Sequence, residues 1–379
     1  MERVRVAIAG AGFIGKVHQE TLRRIPYVEI AALCDSREES IKAAKIYGNT
    51  ARFTDYRKMI DEIKPDVVHI CVPNHLHFEF AKYAIENGVN VFCEKPFTVS
   101  VEEAEELVSI AGKRGVKTAL NFHNRFWPMT MQMREMIFDG ELGEIITVHG
   151  EYLQDWMQYE TDYSWRLHST FSGKTRAVSD IGSHWLDLAE FVTGLKIRKV
   201  CAKFKTVYPV RKMQNDGGGT FQKSGGGRGR EFKVDTEDCA VILLEFENGA
   251  IGTLSISQLF AGAKNRMILS VAGKRRSVRW NSESSNDILI GQRDDPNLKL
   301  TKDPSLLYQR ASALSSYPGG HVEGFADAVK HSFLNFYKEY MEGKAPEGIV
   351  ADFQDGLHNM KVCEAVWSSA QSGVWVEVR

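Results

Sequence analysis

Gly10-Ala11-Gly12-Phe13-Ile14-Gly15 comes directly after the apolar run Val4–Ala9 and opens a segment of helical period, Gly15–Arg24. A G-x-G-x-x-G spacing between strand and helix gives each glycine its own use. Gly10 permits a tight turn, and Gly12 lets the backbone approach an anion. Gly15 lets the helix pack on the strand, with its first N–H groups facing that anion. Gly10, Gly12 and Gly15, with Phe13 and Ile14, are expected to cradle a dinucleotide pyrophosphate. Asp35 stands twenty positions after Gly15, where the apolar run Val28–Cys34 stops. A carboxylate there accepts hydrogen bonds from ribose hydroxyls and repels a 2′-phosphate, which predicts NAD. Arg37, two positions on, could accommodate that phosphate, so NADP stays possible.

Across the first third of the chain, the runs Val4–Ala9, Val28–Cys34, Val67–Val72, Val89–Cys93 and Val116–Asn121 alternate with helical segments at Gly15–Arg24, Arg37–Tyr47, Asp55–Glu62, Phe78–Asn87 and Val101–Arg114. This alternation predicts an α/β domain with a doubly wound parallel sheet over residues 1–124. Beyond a helix at Pro128–Phe138 the pattern changes. Glu144–Trp156, Val200–Val207, Cys239–Phe246, Ile251–Ser257, Met267–Val271 and Ser277–Trp280 read as strands without regular intervening helices. They predict an α+β second domain over 125–379 with a large, mainly antiparallel open sheet. Asp180–Thr193, Val322–Met341 and Phe353–Ser372 read as its helices. Asp216–Arg230, with two glycine triplets, reads as a mobile loop between strands, with a substrate lid or subunit contact as the alternative.

A chain of 379 residues has room for two domains. Its 48 basic and 49 acidic side chains nearly cancel and are interspersed, which argues against a nucleic-acid partner. No window is apolar enough for a membrane span, and the start Met1-Glu2-Arg3-Val4-Arg5 does not read as a secretory signal, so a cytoplasmic location is expected. The six cysteines form no C-x-x-C pair and no cluster that would frame a zinc site or disulfide scaffold, and Cys34, Cys71 and Cys93, in or at the ends of apolar runs, read as small buried residues.

Two further clusters carry chemistry. The run ending at Cys93 continues into Glu94-Lys95-Pro96, which places a lysine at the carboxyl edge of the sheet, where open α/β folds bind ligands. Beside a cofactor, its ammonium can hold a substrate hydroxyl and stabilise a developing alkoxide. Pro73-Asn74-His75-Leu76-His77 reaches the same edge. Asn74 and His77 are candidates for the nicotinamide end, while His75-x-His77 admits a metal-ligand reading. In Asp180-Ile181-Gly182-Ser183-His184-Trp185-Leu186-Asp187, the residues Asp180, His184 and Asp187 lie at i, i+4 and i+7 of a predicted helix whose other stripe is apolar. A carboxylate one turn from an imidazole can orient the ring as a general base, and Gly182 would let a ligand approach. An N-capping aspartate with a surface histidine is the plainer reading of the same residues.

GAGFIG, PNHLH, EKP and DIGSH, in this order along nearly the whole chain, resemble the Gfo/Idh/MocA oxidoreductase family. The resemblance implies a Rossmann domain, then an α+β domain that binds substrate and assembles homodimers or homotetramers through its sheet. It implies Lys95, Asp180 and His184 as the catalytic set, with Pro96 fixing Lys95, often through a cis peptide. Gly10, Gly12, Phe13, Ile14, Gly15, Asp35, Arg37, Pro73, Asn74, His77, Glu94 and Lys95 fall where the cofactor binds. Tyr152-Leu153-Gln154-Asp155-Trp156 and Trp165-Arg166 resemble a glycoside dehydrogenase branch. Asp187, Trp165, Arg166, Asn124, Arg125 and His321 are the candidate substrate contacts, and no metal is expected. The implied activity is NAD(P)-dependent oxidation of a secondary hydroxyl of a cyclic sugar or cyclitol. A non-catalytic regulator sensing NAD or a sugar is the alternative, and a metal-dependent hydrolase using His75, His77, Asp180 and His184 is a third.

Overall fold

The computed structural model describes residues 3–44, 49–213, 230–342 and 348–379. The chain divides into two units, Met1–His123 with Val329–Met360, and Asn124–Ala328 with Lys361–Arg379. In the first unit, strands β1 (Val4–Ala9), β2 (Val28–Cys34), β3 (Ala51–Phe53), β4 (Val67–Ile70), β5 (Asn90–Cys93) and β6 (Thr118–Leu120) alternate with helices α1 (Phe13–Leu22), α2 (Glu38–Ala43), α3 (Tyr56–Ile63), α4 (His77–Glu86) and α5 (Val101–Arg114). All neighbouring strands are parallel, in the order β3-β2-β1-β4-β5-β6. The order reverses between β1 and β4, and ligands bind at the carboxyl ends of strands at such a point.

The second unit contains α6 (Pro128–Phe138), β7 (Ile145–Leu153), α7 (Ser169–Ser172), α8 (Ser183–Thr193), β8 (Ile197–Lys205), β9 (Val210–Met213), β10 (Arg230–Lys233), β11 (Cys239–Phe246), β12 (Ile251–Ser257), β13 (Arg266–Gly273), β14 (Ser277–Asn281), β15 (Asp287–Gly291), β16 (Leu298–Thr301) and α9 (Gln309–Ala313). The helices α10 (Phe325–Glu342) and α11 (Phe353–Ser372) and the short β17 (Val376–Glu377) complete the chain. Nine strands form one sheet in the order β16-β15-β14-β13-β7-β12-β11-β8-β17, and β9 and β10 pair separately. The large sheet is antiparallel except for the parallel pairing of β7 with β12. Strand alternation gives it two unlike faces. One carries Ile242, Leu244, Leu254 and Leu269, all fully buried, and the other leaves Val241, Leu243 and Leu289 exposed. Helix α8 lies against the buried face across β7 and β13. Trp185 of α8 donates its indole N–H to the Ile268 carbonyl at 2.8 Å, in space that a side chain at Gly150 would fill.

The parallel strands bury both faces, so alternate residues feed two cores. Ala7, Ala9, Val68, Ile70, Val91 and Cys93 belong to one. Val6, Ile8, Val67 and Phe92 belong to the other, closed by Val329, Phe333, Phe336 and Tyr337 of α10. The grouping of Val329–Met360 with the first unit departs from a second domain running unbroken over 125–379. Helical period locates the apolar stripe of α10 but does not say which sheet it covers.

Three other differences are local. Strands β3, β9, β10, β15, β16 and β17 have no counterpart among the expected runs, being short and partly polar. The expected helix Asp180–Thr193 is a π-helical turn over Val178–Gly182 followed by α8. That turn is held by the Glu237 carboxylate, which accepts the N–H groups of Arg176 and Val178, and by Ser183 Oγ, which donates to the Ser179 carbonyl at 2.7 Å. Gly182 admits the side chain of Ile256, which a Cβ would meet at 2.6 Å, so its smallness serves helix-to-sheet packing rather than ligand approach. The loop expected at Asp216–Arg230 lies outside the described residues up to Arg230, which begins β10; the end of the helix expected at Arg37–Tyr47 also lies outside them.

Candidate functional site

In the first unit the glycine loop sits at the reversal of strand order. Gly10 has φ +102°, and a Cβ there would lie 2.3 Å from the Cys71 carbonyl oxygen, so the turn and its packing both require glycine. A Cβ on Gly15 would meet the Gly10 carbonyl at 2.0 Å, whereas a Cβ on Gly12 would meet nothing within 4 Å. Gly12 thus faces open space at the N-terminus of α1, a helix with no acidic residue in its first turn and no side-chain cap. Both features suit an anion. Phe13 is exposed and Ile14 half-buried beside it. Asp35 Oδ2 accepts the Ala11 N–H at 2.9 Å and its Oδ1 accepts the Arg37 N–H at 3.0 Å, so the carboxylate ties the end of β2 to the loop. The Arg37 guanidinium, 3.8 Å from Oδ1, is 73% exposed.

At the mouth of the same sheet, Pro73 leads into a 3-10 turn over Asn74–Leu76. Asn74 and His77 are both buried. Each ring nitrogen of His77 lies 2.9 Å from a carbonyl oxygen, Val72 on one side and Pro96 on the other. The imidazole therefore clasps the two loops together. Burial lowers its basicity, with the carbonyl contacts opposing. The Lys95–Pro96 peptide bond is cis, as the resemblance implied. Lys95 is partly exposed, and its N–H donates to Glu94 Oε2 at 3.3 Å. The Glu94 carboxylate is buried and points away from solvent toward His18, 2.8 Å distant, and Asn121, which donates at 2.6 Å. Burial alone would raise its pKa; the bonds from His18 and Asn121 and the nearby Lys95 charge overcome this and bring it to about 2. His123 completes the group, held down to about 4 by burial, with Lys95 lowering it further and Glu94 opposing.

In the second unit, Asp180 leaves the π-helical turn with Oδ2 accepting from Gln258 Nε2 at 2.9 Å and Oδ1 3.4 Å from Arg166 Nε. The Arg166 guanidinium lies over the Trp165 ring at 4.5 Å, so Trp165, Arg166 and Asp180 form one constellation. His184, on the first turn of α8, is buried, with its ring centroid 6.4 Å from that of Tyr152. Burial and the Asp180 charge keep the Tyr152 phenol protonated. Tyr152 Oη and Gln154 Nε2 both donate to Asn265 Oδ1, at 2.9 and 2.7 Å, and Trp156 Nε1 donates to Gln154 at 2.7 Å. Asp187 and Arg125 face each other in a buried bidentate pair, with bonds of 2.9 and 2.5 Å. Asn124 accepts from Trp127 Nε1 at 3.0 Å, and its buried Nδ2 has no hydrogen-bond partner among the described residues. His321 is exposed on a loop anchored by the buried Lys302–Glu323 ion pair.

Comparison with known proteins places this geometry. Residues 4–122 match the model of an oxidoreductase family with an NAD-binding Rossmann fold, Gfo/Idh/MocA, and residues 130–279 match that family's C-terminal domain. D-glucoside 3-dehydrogenase of Escherichia coli is 35% identical over 263 residues, which cover 67% of this chain and 70% of the relative. The chain belongs to the Gfo/Idh/MocA oxidoreductase family. Levoglucosan dehydrogenase of Pseudarthrobacter phenanthrenivorans is 26% identical over 100% of this chain and 99% of its own length. A solved apo structure of levoglucosan dehydrogenase superposes with a TM-score of 0.91 at 26% identity, covering 100% of this chain and 99% of the other.

Within the Gfo/Idh/MocA frame, the sequence announces the glycine loop, Asp35, Lys95, Trp165, Arg166 and Asp180, but not the pairing of Arg166 with Asp180. It did not foresee that Asp187 and Arg125, named as separate substrate contacts, would be paired with each other. Nor did it foresee that His77 would be enclosed by carbonyls. It missed His18, Asn121, His123, Gln258 and Asn265. For His123 a signal existed, since Asn121-Phe122-His123 comes after β6 at the same carboxyl edge as Lys95. Among the described residues no group of three or more His, Cys, Asp or Glu side chains is placed to hold a metal ion, and no helix is long and apolar enough to cross a membrane.

Proposed function

We propose that this oxidoreductase oxidises a secondary hydroxyl of a cyclic sugar, sugar derivative or cyclitol to the ketone, with NAD as the acceptor. The observation that carries the reading is the end-to-end likeness to levoglucosan dehydrogenase, joined to a glycine loop left open at Gly12. The pyrophosphate would rest against Gly10, Gly12 and Gly15 with Phe13 and Ile14 beside it, and Asp35 would take the ribose hydroxyls. Pro73, Asn74 and Glu94-Lys95 would border the nicotinamide, with His77 fixing their loops. When bound, the dinucleotide supplies the hydride acceptor. Lys95 holds the reacting hydroxyl and stabilises its developing negative charge, and the His184 imidazole takes the hydroxyl proton, oriented by Asp180. Trp165 and Arg166 offer an aromatic face and fork-shaped donors to a polyol ring, with Asn124, His321 and the Arg125–Asp187 pair as further contacts.

In this reading residues 1–124, with Val329–Met360 completing their core, form the nucleotide domain and the rest of the chain the substrate and assembly domain, in a cytoplasmic homodimer or homotetramer. The exposed Val241, Leu243 and Leu289 on the open face of the large sheet support the assembly. The test is absorbance at 340 nm with NAD, and separately NADP, against inositols, hexoses, anhydrosugars and glycosides. Turnover with a cyclic polyol is expected, and Lys95→Ala should lower kcat by about 10²–10⁴-fold with dinucleotide binding kept. Undiminished turnover in Lys95→Ala would overturn the role given to Lys95. Tight dinucleotide binding with no turnover across the panel would favour a sensor.

A further inference from the structure

Behind the Lys95 loop the first unit buries hydrogen-bonding side chains that this mechanism leaves unused. His18 of α1, His69 of β4 and Tyr337 of α10 are each 0% exposed. The two imidazoles meet Nδ1 to Nδ1 at 2.8 Å. His69 Nε2 lies 2.6 Å from Tyr337 Oη, and His18 Nε2 lies 2.8 Å from Glu94 Oε1. Aromatic rings enclose them, with Phe92 stacked on His69 at 4.8 Å and Phe333 edge-on to His18 at 4.7 Å. Polar rings in such surroundings are costly unless every N–H has an acceptor.

We propose that Tyr337, His69 and His18 form a one-directional hydrogen-bond chain that holds the Glu94 carboxylate in place, and through it the backbone at Lys95. His18 and Tyr337 are then positioning residues for the Lys95 loop, an inference that rests on the role proposed for Lys95. The direction comes from what each atom can do. A carboxylate only accepts, so His18 carries a hydrogen on Nε2. Tyr337 stays a phenol in its buried setting and donates to His69 Nε2. Burial keeps His69 neutral, so its one hydrogen sits on Nδ1 and points to His18 Nδ1, which accepts. Every donor points toward Glu94. The carboxylate accepts at Oε1 from His18 and Asn121 and at Oε2 from the Lys95 N–H.

Histidine nitrogen-15 NMR on the full-length protein tests the direction. His69 is expected as the Nδ1–H tautomer and His18 as the Nε2–H tautomer. A hydrogen on His69 Nε2, or a doubly protonated His18, would overturn the chain. Tyr337→Phe, on α10 and outside the residues assigned to cofactor and substrate, tests the coupling. It is expected to leave His69 as the Nδ1–H tautomer held by His18 Nδ1, with its Nε2 resonance shifted by loss of the phenol donor, to move the Lys95 backbone amide signal, and to lower kcat about tenfold with KM within about twofold. An unmoved Lys95 signal with unchanged kcat would overturn the positioning role. The spectrum of the unaltered protein decides the direction even if the variant does not fold. Because the spectra need no turnover, loss of the dehydrogenase reading and loss of the chain are told apart.

Discussion

Asp35 accepts the Ala11 backbone N–H at 2.9 Å, so the carboxylate expected to choose the cofactor also fixes the loop expected to cradle it. Asp35→Ser removes the charge that repels a 2′-phosphate and leaves the exposed Arg37 beside the opening. The NAD/NADP ratio of kcat/KM should fall by about tenfold or more, as steady-state kinetics with both cofactors will read. An unchanged ratio would mean that Asp35 serves the loop alone.

The glycines of the loop separate binding from folding. A methyl on Gly12 meets nothing, so Gly12→Ala should melt at the temperature of the parent while NAD affinity measured by calorimetry weakens about tenfold. A methyl on Gly15 collides with the Gly10 carbonyl, so Gly15→Ala should lower the melting temperature itself. The reverse pattern would place the pyrophosphate elsewhere.

Arg125 and Asp187 are 6% and 4% exposed and bonded at both oxygens. Asp187→Ala leaves the guanidinium buried without its counter-charge and should cost about 3–5 kcal/mol in urea denaturation. Replacing both residues by apolar ones should restore much of that loss. A single-variant cost below about 1 kcal/mol would show that solvent reaches the arginine.

Acid should loosen the protein before ordinary carboxylates titrate. His123 is held at about 4 against an ordinary 6.5, so between those values the unfolded chain takes up a proton that the folded chain refuses. The stability contributed by neutral His123 is full above about pH 6.5 and is lost as pH falls through 6.5 toward 4. His69 and His77, also lowered by burial, act in the same direction. Melting temperatures from pH 7.5 to 4.5 should fall, and less steeply in His123→Gln. Equal slopes would remove His123 from this account.

The parallel sheet was legible because strands buried on both faces, Val4–Ala9 or Val67–Ile70, leave near-continuous apolar runs, and because G-x-G-x-x-G after the first of them dictates a tight turn and a helix. Trp165 and Arg166 were legible through the family resemblance, whereas the contact of Arg166 with Asp180 was not. The features that stayed hidden depend on distant partners. Nothing around Asp187 in sequence announces Arg125. His18 looks like one polar residue on an amphipathic helix until β4, the Glu94 loop and α10 are folded around it. The π-helical turn before α8 was invisible in sequence, since the Glu237 carboxylate that accepts the N–H groups at its start lies far along the chain.

The return of Val329, Phe333, Phe336 and Tyr337 to the core of the first unit sets an order of events during synthesis. As the ribosome releases β1 to β6, one face of that sheet is covered only in part, by Ile14, Val17 and Leu22 of α1, and the core around Val6, Ile8, Val67 and Phe92 is not closed until α10 emerges. The nucleotide half is the first to be made and among the last to be finished. A fragment ending near residue 124 should therefore aggregate rather than bind a dinucleotide, and adding residues 329–360 as a separate peptide should recover part of the soluble material.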